Sequence, residues 1–275
     1  MRYRSLGDSG CSVSELCLGT MTFGAESDEA VAHAQLDRFV EAGGTLVDTA
    51  DVYSAGASEA IIGRWLGARP PEVTDSVVLA TKGRFPMGTD PNDSGLSARH
   101  LTLALDASLR RLAVESVDLY QVHSWDPWTP LAETLRTLNG FVRSGKIRYH
   151  GLSNFSGWQL TKAVHTARTM GLTEPVTLQP QLSLICARSS GRSFRQPSTR
   201  AWACSRGARW VAVGSVASTS ATSVPRDSPG SVRTRRVAWR PGTAGAPSAR
   251  GRSSRPSNRS RSHGVRQWPR WPCPG

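Results

Sequence analysis

Four side chains in this sequence could together move a proton: Asp48, Tyr53, Lys82 and His123. Tyrosine is a weak acid near neutrality. A nearby cation lowers its pKa, and a buried lysine held by a carboxylate would be such a cation. Taken singly, each residue is weak evidence. A lone lysine at the end of a strand is usually a solvated rim charge, and a lone histidine is usually structural. Asp51 rivals Asp48, but its place beyond the apolar run makes it a turn residue.

The chemistry depends on elements that bring these residues together. Apolar runs at 45–48, 77–81, 117–122, 147–153 and 176–184 read as strands, most without polar alternation, as expected when both faces are covered. Between them, residues 28–42, 58–66, 97–112, 131–142 and 156–170 carry apolar positions at helical spacing. Residues 2–6 and 12–18 read as a short hairpin turning at Asp8-Ser9-Gly10. Six alternations of strand and helix predict a parallel α/β fold. A doubly wound sheet would bind a dinucleotide through GxGxxG after its first strand. Gly19-Thr20-Met21-Thr22-Phe23-Gly24 does not supply that motif. A (β/α)8 barrel instead gathers its chemistry at the C-terminal ends of many strands. Asp48 ends one predicted strand, Lys82 and His123 each follow one, and Tyr53 lies in the loop after the first.

The motifs around these residues resemble the aldo-keto reductase family. Val47-Asp48-Thr49-Ala50-Asp51-Val52-Tyr53, followed by Ser58-Glu59-Ala60-Ile61-Ile62-Gly63, is similar to the family signature. Leu79-Ala80-Thr81-Lys82, Asp118-Leu119-Tyr120-Gln121-Val122-His123, Gly151-Leu152-Ser153-Asn154-Phe155 and Leu178-Gln179-Pro180-Gln181 continue the likeness in order and spacing, over about residues 2–186. The resemblance implies a (β/α)8 barrel that reduces aldehydes or ketones with NADPH. Tyr53 would give a proton to the carbonyl oxygen. Lys82, paired with Asp48, would lower the Tyr53 pKa, and His123 would orient the carbonyl. Ser153, Asn154 and Gln179 would hold the nicotinamide carboxamide. Thr20 and Met21 would line the ribose-nicotinamide region. Trp125 is either a wall of the substrate pocket or a loop anchor. Leu182 stands where many relatives carry Tyr.

The character of the chain changes at Ala187. The 89 residues from there to Gly275 contain no Leu, Ile, Lys, Met or Tyr, but 18 Arg and one acid, Asp227. Such a composition cannot fill a packed core. The barrel reading is therefore of an incomplete barrel, about six strand-helix units over residues 1–186, with a non-globular tail over 187–275. The tail could be a basic arm that binds nucleic acid, a disordered regulatory segment, or coding sequence read out of frame. The genetic code favours the last. After loss of one base near Cys186, each true codon joins the wobble base of one residue to the first two bases of the next. Trp has one codon, so Ala203 after Trp202 and Val211 after Trp210 must both read Gly. Val211 to Thr219 then permits Gly-Gly-Gly-Trp-Leu-Ser-Gly-Lys-Tyr, a family-like strand and loop. An out-of-frame product would be catalytically impaired or dead, its basic tail binding anionic surfaces nonspecifically.

The formal charge of +13 is thus the tail's, and the first 186 residues sum to −4. A mildly acidic body predicts no specific nucleic-acid partner and no membrane partner; the small carbonyl substrate is the partner that the family resemblance implies. Five cysteines without paired spacing fit free thiols in a reducing, cytoplasmic setting. The first residues lack the apolar stretch of a signal peptide, and no run approaches the ~18–20 apolar residues that span a bilayer.

Overall fold

The computed structural model describes residues 1–180. Their centre is a six-stranded, all-parallel sheet that curls as an incomplete (β/α)8 barrel. An antiparallel hairpin comes first, β1 (Tyr3–Ser5) with β2 (Ser12–Ser14). The sheet then runs in chain order through β3 (Cys17–Gly19), β4 (Leu46–Asp48), β5 (Val78–Gly83), β6 (Val117–Val122), β7 (Ile147–Ser153) and β8 (Thr177–Gln179). Helices α1 (Glu29–Glu41), α2 (Ala57–Gly67), α4 (Ala98–Leu112), α5 (Leu131–Arg143) and α6 (Gly157–Thr169) make the crossovers, with a short α3 (Pro71–Thr74) before β5.

Most elements lie where the hydrophobic periodicity puts them. Three differ. The expected second hairpin arm, 12–18, is two strands: β2 stops at Ser14, and Cys17–Gly19 opens the parallel sheet. Past Ser14 the hairpin keeps one bond, from the Glu15 N–H to the Arg2 carbonyl (2.8 Å), while Ser14 bonds Thr45, just before β4, through its Oγ and N–H. The strand expected at 77–81 extends to Gly83, so Lys82 lies inside β5 and not beyond it. Of the run 176–184, β8 covers Thr177–Gln179, and the rest from 181, Leu182 included, lies outside the described residues.

Strand alternation splits the core in two. On the helix-facing side, Val47, Leu79, Tyr120, Val122 and Leu152 pack under the helices with Leu36, Ile62, Leu105 and Leu138. On the inner side, Leu46, Ala80 and Leu119 pack with Leu6 and Val13 of the hairpin, which plugs the N-terminal end of the curled sheet. The plug sits tight: Gly7 is at φ +59°, and a Cβ there would lie 1.7 Å from the Val176 carbonyl oxygen. With that end filled, the inner face opens at the C-terminal ends of the strands.

Candidate active site

Alternation also decides which polar groups face inward. Asp48 shares the inner face of β4 with Leu46. Lys82 shares the inner face of β5 with Ala80, and Gln121 shares that of β6 with Leu119. The residue just past several strands is pinned to its neighbour by a backbone bond. Thr20 donates its N–H to the Asp48 carbonyl (3.0 Å), Thr49 to Ala80 (2.9 Å), His123 to Gly83 (3.1 Å) and Asn154 to Gln179 (3.1 Å). The chain then enters the loops at fixed heights.

Lys82 is the hub. Its Nζ donates to Asp48 Oδ2 at 2.6 Å, to the Thr49 carbonyl at 2.8 Å and to Tyr53 Oη at 3.3 Å. Its side chain is 1% exposed. Three acceptors satisfy the three donors of a buried ammonium, which is what makes its burial tolerable. Tyr53 reaches this point because the chain reverses just after it: Ser54, Ala55 and Gly56 all have left-handed backbones, φ 50°, 53° and 92°. Ser54 is anchored there by donating its Oγ to the Phe23 carbonyl (2.8 Å). His123 meets the Tyr53 ring edge-on at 5.8 Å and Phe85 at 4.7 Å.

The electrostatics differ among the members. Burial pulls the Lys82 pKa down, but Asp48 and Tyr53 outweigh it, so the ammonium is held above its ordinary value. Burial pushes the Tyr53 phenol up, Lys82 pulls it down and Asp48 adds to the rise; the net direction is upward. The expected lowering of Tyr53 by Lys82 is therefore present as a force, but desolvation exceeds it. Burial, reinforced by Lys82 and Arg84, holds His123 well below its usual value, so its imidazole is neutral at pH 7. Its Nδ1 is buried with no hydrogen-bond partner among the described residues.

A second group gathers at the ends of β7 and β8. Ser153 Oγ donates to the Gln179 carbonyl (3.0 Å), and Asn154 Nδ2 donates to the His123 carbonyl (3.1 Å). Gln179 Nε2 donates to Asp48 Oδ2 (3.2 Å), while its Oε1 accepts from Gln121 Nε2 (3.0 Å). Asn154 has a left-handed backbone, φ 54°, which asparagine tolerates better than most residues. This amide and hydroxyl set has the donors and acceptors that a carboxamide needs.

The remaining expected residues stand further out. Thr20 is fully buried, with its hydroxyl spent on the Asp48 carbonyl (3.1 Å) and on the Ser58 hydroxyl (2.9 Å). Met21 is 56% exposed. Trp125 packs edge-on against Phe155 (5.3 Å) and Trp158 (5.5 Å), with Lys162 Nζ over its ring at 5.9 Å. The motif reading gives no role to Gln121 or Phe85, and puts Asp51 in a turn. Gln121 was findable, since period-two alternation puts it on the inward face two residues before His123. For Phe85 the sequence holds no signal. Asp51, expected in a turn, is fully buried. The stretch after β4 runs on alongside β5 in the same direction, where the Asp51 N–H bonds the Lys82 carbonyl (3.0 Å). Among the described residues there is no cluster of three metal-ligating side chains, and no helix is long and apolar enough to cross a membrane.

Comparison with known proteins gives the family of the chain. Residues 15–240 match the model of the aldo/keto reductase family. The chain is 43% identical over 197 residues to "Uncharacterized oxidoreductase YrpG" of Bacillus subtilis, a match covering 67% of this chain and 59% of that protein. It is 38% identical over 192 residues to "Norsolorinic acid reductase B" of Aspergillus parasiticus, covering 65% and 50%. Against "Protein tas" of Escherichia coli it is 36% identical over 212 residues, covering 67% and 61%. The chain thus spans half to three fifths of the length of these relatives.

Proposed function

Because this chain belongs to the aldo/keto reductase family, we propose that Asp48, Tyr53, Lys82 and His123 form the proton-donating site of an oxidoreductase that reduces aldehydes or ketones to alcohols with NADPH. The observation that carries this reading is the buried Lys82 ammonium, bonded to Asp48 on one side and 3.3 Å from the Tyr53 phenol on the other. Relatives named as an oxidoreductase and as a reductase support the same class of chemistry.

When bound, the reduced nicotinamide supplies the hydride. Ser153, Asn154 and Gln179 are the residues suited to its carboxamide, and Thr20 and Met21 are assigned to the adjoining ribose by family resemblance, as is the preference for NADPH. Tyr53 gives its Oη proton to the carbonyl oxygen. The phenolate left behind is a buried anion, and the Lys82 ammonium stabilises it. Asp48 keeps that ammonium in place and charged. Neutral His123 orients the carbonyl oxygen through a hydrogen bond. Trp125, tied to Phe155 and Trp158, is assigned to the substrate pocket wall. The partner is a small carbonyl compound, in a cytoplasmic setting.

We propose further that residues 187–275 are an out-of-frame continuation, which leaves this chain impaired as an enzyme. That stretch lies outside the described residues. Its composition supports the reading; set against it is the family match, which continues to residue 240. Sequencing the gene across codons 180–195 decides the frame directly. Activity is tested by NADPH oxidation with a panel of aldehydes and ketones. It is run on the 275-residue chain and on a form with one base restored near codon 186. The restored form is expected to oxidise NADPH only in the presence of carbonyl. No carbonyl-dependent oxidation by either form would sink the functional reading, and normal turnover by the 275-residue chain would sink the impairment.

A further inference from the structure

Back to back with the proton-donating site, across β5, lies a second cluster of buried charge. Lys82 faces inward, so its neighbour Thr81 faces the helices, where Thr81 Oγ1 donates to Glu59 Oε1 at 2.5 Å. Glu59, on α2, is fully buried, and Arg111 of α4 reaches its Oε2 with Nε at 2.8 Å and Nη2 at 2.7 Å. Asp51 joins this cluster from the loop after β4. It is fully buried, yet neither carboxyl oxygen has a hydrogen-bond partner among the described residues, and neither does the Tyr120 hydroxyl of β6. Both groups press on Gly83: a Cβ there would lie 2.2 Å from Tyr120 Oη and 3.3 Å from Asp51 Oδ2.

The charges count unevenly. Lys82 balances Asp48, and Arg111 balances Glu59. Asp51 is the acid left over. Ionised, it is a buried carboxylate with no cation of its own and, beyond the pull of the adjacent Val52 N–H, no donor in place, an expensive state. Neutral, it leaves both pairs balanced. The groups that act on it are Glu59 from α2, Arg111 from α4, Lys82 from β5 and the Tyr120 hydroxyl from β6. Burial and Glu59 push its carboxyl up to about 7, against the Val52 N–H, Arg111 and Lys82.

We propose that Asp51 is a positioning residue of the proton-donating site: it sits neutral behind Lys82 in mild acid, and its ionisation makes Tyr53 a weaker proton donor. The link is short, because the Asp51 N–H bonds the Lys82 carbonyl at 3.0 Å. A negative charge behind Lys82 offsets part of the ammonium's field at Tyr53. The phenolate is then less favoured and the phenol holds its proton more tightly. Carbonyl reduction should slow as pH rises through neutrality, before Tyr53 itself titrates. This inference rests on Tyr53 as the donor, so its test reads protons without turnover.

The first measurement, on the 275-residue chain, is the infrared carbonyl stretch of protonated carboxyl groups. One such band is expected to vanish between pH 5.5 and 8.5, with a midpoint near 7, and to be missing from Asp51→Asn. The second is ultraviolet titration of tyrosinate, with Tyr53→Phe subtracted to isolate Tyr53 among the four tyrosines. Asp51→Asn should ionise Tyr53 at lower pH, by on the order of half a unit. If circular dichroism shows that variant misfolded, Asp51→Leu, similar in shape and uncharged, takes its place with the same expectation. No band lost over that range, or an unmoved Tyr53 midpoint in the variant that folds, overturns the proposal. Should both titrations behave while no carbonyl is reduced, the functional reading fails and the Asp51 coupling stands.

Discussion

At the scale of single residues, the chemistry rests on Tyr53 being a phenol and Lys82 being charged. Tyr53→Phe keeps the ring against His123 and removes the hydroxyl, and with it the proton and one of the three Lys82 acceptors. General acid catalysis is worth about 10²–10⁴-fold, so kcat of the base-restored form should fall on that order, with NADPH affinity unchanged by fluorescence titration. A loss under threefold would move the donor elsewhere. Lys82→Met should match that loss and add instability, because it strands Asp48 as a buried, uncompensated carboxylate. Breaking such a pair costs about 3–5 kcal/mol, measurable as a lower urea midpoint. If the variant is inactive but fully stable, Asp48 is not held by Lys82 in solution.

His150 gives the pH dependence of stability a definite sign. It is buried on β7, its Nε2 is 3.0 Å from the Thr173 carbonyl, and its Nδ1 has no partner among the described residues. Burial takes its pKa down to about 4. In the unfolded chain the value is about 6.5. Between the two, the unfolded chain binds a proton that the fold refuses. The stability is therefore complete above about pH 6.5 and is lost as pH falls toward 4, by about 3 kcal/mol in total. His150→Gln should remove that part of the acid loss, seen as a smaller drop in melting temperature between pH 7.5 and 4.5 than in the parent. An equal drop in both would place the acid sensitivity in other groups.

At the scale of elements, the contact of α2 with α4 is fixed by the absence of a side chain. A Cβ on Gly63 would lie 2.4 Å from the Arg111 carbonyl oxygen and 2.8 Å from that of Leu112. These are backbone atoms and cannot rotate away. Gly63→Ala should cost about 1–3 kcal/mol as an overpacked contact, against the gain in helix propensity that alanine normally brings. It should also disturb Arg111, and through it Glu59 and Asp51. Denaturant midpoints give the first effect, and an unchanged or higher midpoint would show that the helices separate freely.

The strands are graded as well. β5, β6 and β7 run six, six and seven residues, whereas β3, β4 and β8 run three each. Among the described residues β3 and β8 are the edges of the sheet. Hydrogen exchange should be slowest at Ala80–Gly83 and Leu119–Val122 and fastest, among strand amides, at Cys17–Gly19 and Thr177–Gln179. Uniform protection would mean that further pairing closes both edges. The gradient bears on function, because Gln179 sits at the weak edge while Lys82 and Gln121 sit in the strong centre.

At the scale of the whole molecule, the proposed proton-donating site lies on a firm central sheet, with the carboxamide-suited residues toward one edge. The relatives are longer than the matched region by two fifths to a half of their length. Restoring one base near codon 186 is therefore expected to add what closes the site, and the gain should appear first in NADPH binding. The 275-residue chain should bind NADPH weakly and turn over no carbonyl. Equal NADPH affinity in the two forms would show that the described residues suffice for the cofactor.

The sequence by itself determined the class of fold, because buried parallel strands must be apolar throughout and amphipathic helices must repeat at 3.6. It also determined which residue types end the strands, so Asp48, Tyr53, Lys82 and His123 were legible as a set, and the family motifs made them specific. Tertiary structure alone decided how those residues act on one another. That Lys82 meets three acceptors depends on the register of β4 against β5, which no local pattern encodes. That desolvation exceeds the pull of Lys82 on Tyr53 depends on how much of the fold covers the ring. Asp51 is the clearest case: four residues of loop look like a turn on paper, and only packing against β5, α2 and α4 makes its carboxyl buried and unpaired. Composition and spacing record what a side chain is and how often it recurs. Burial and charge balance belong to the neighbours brought in from distant parts of the chain.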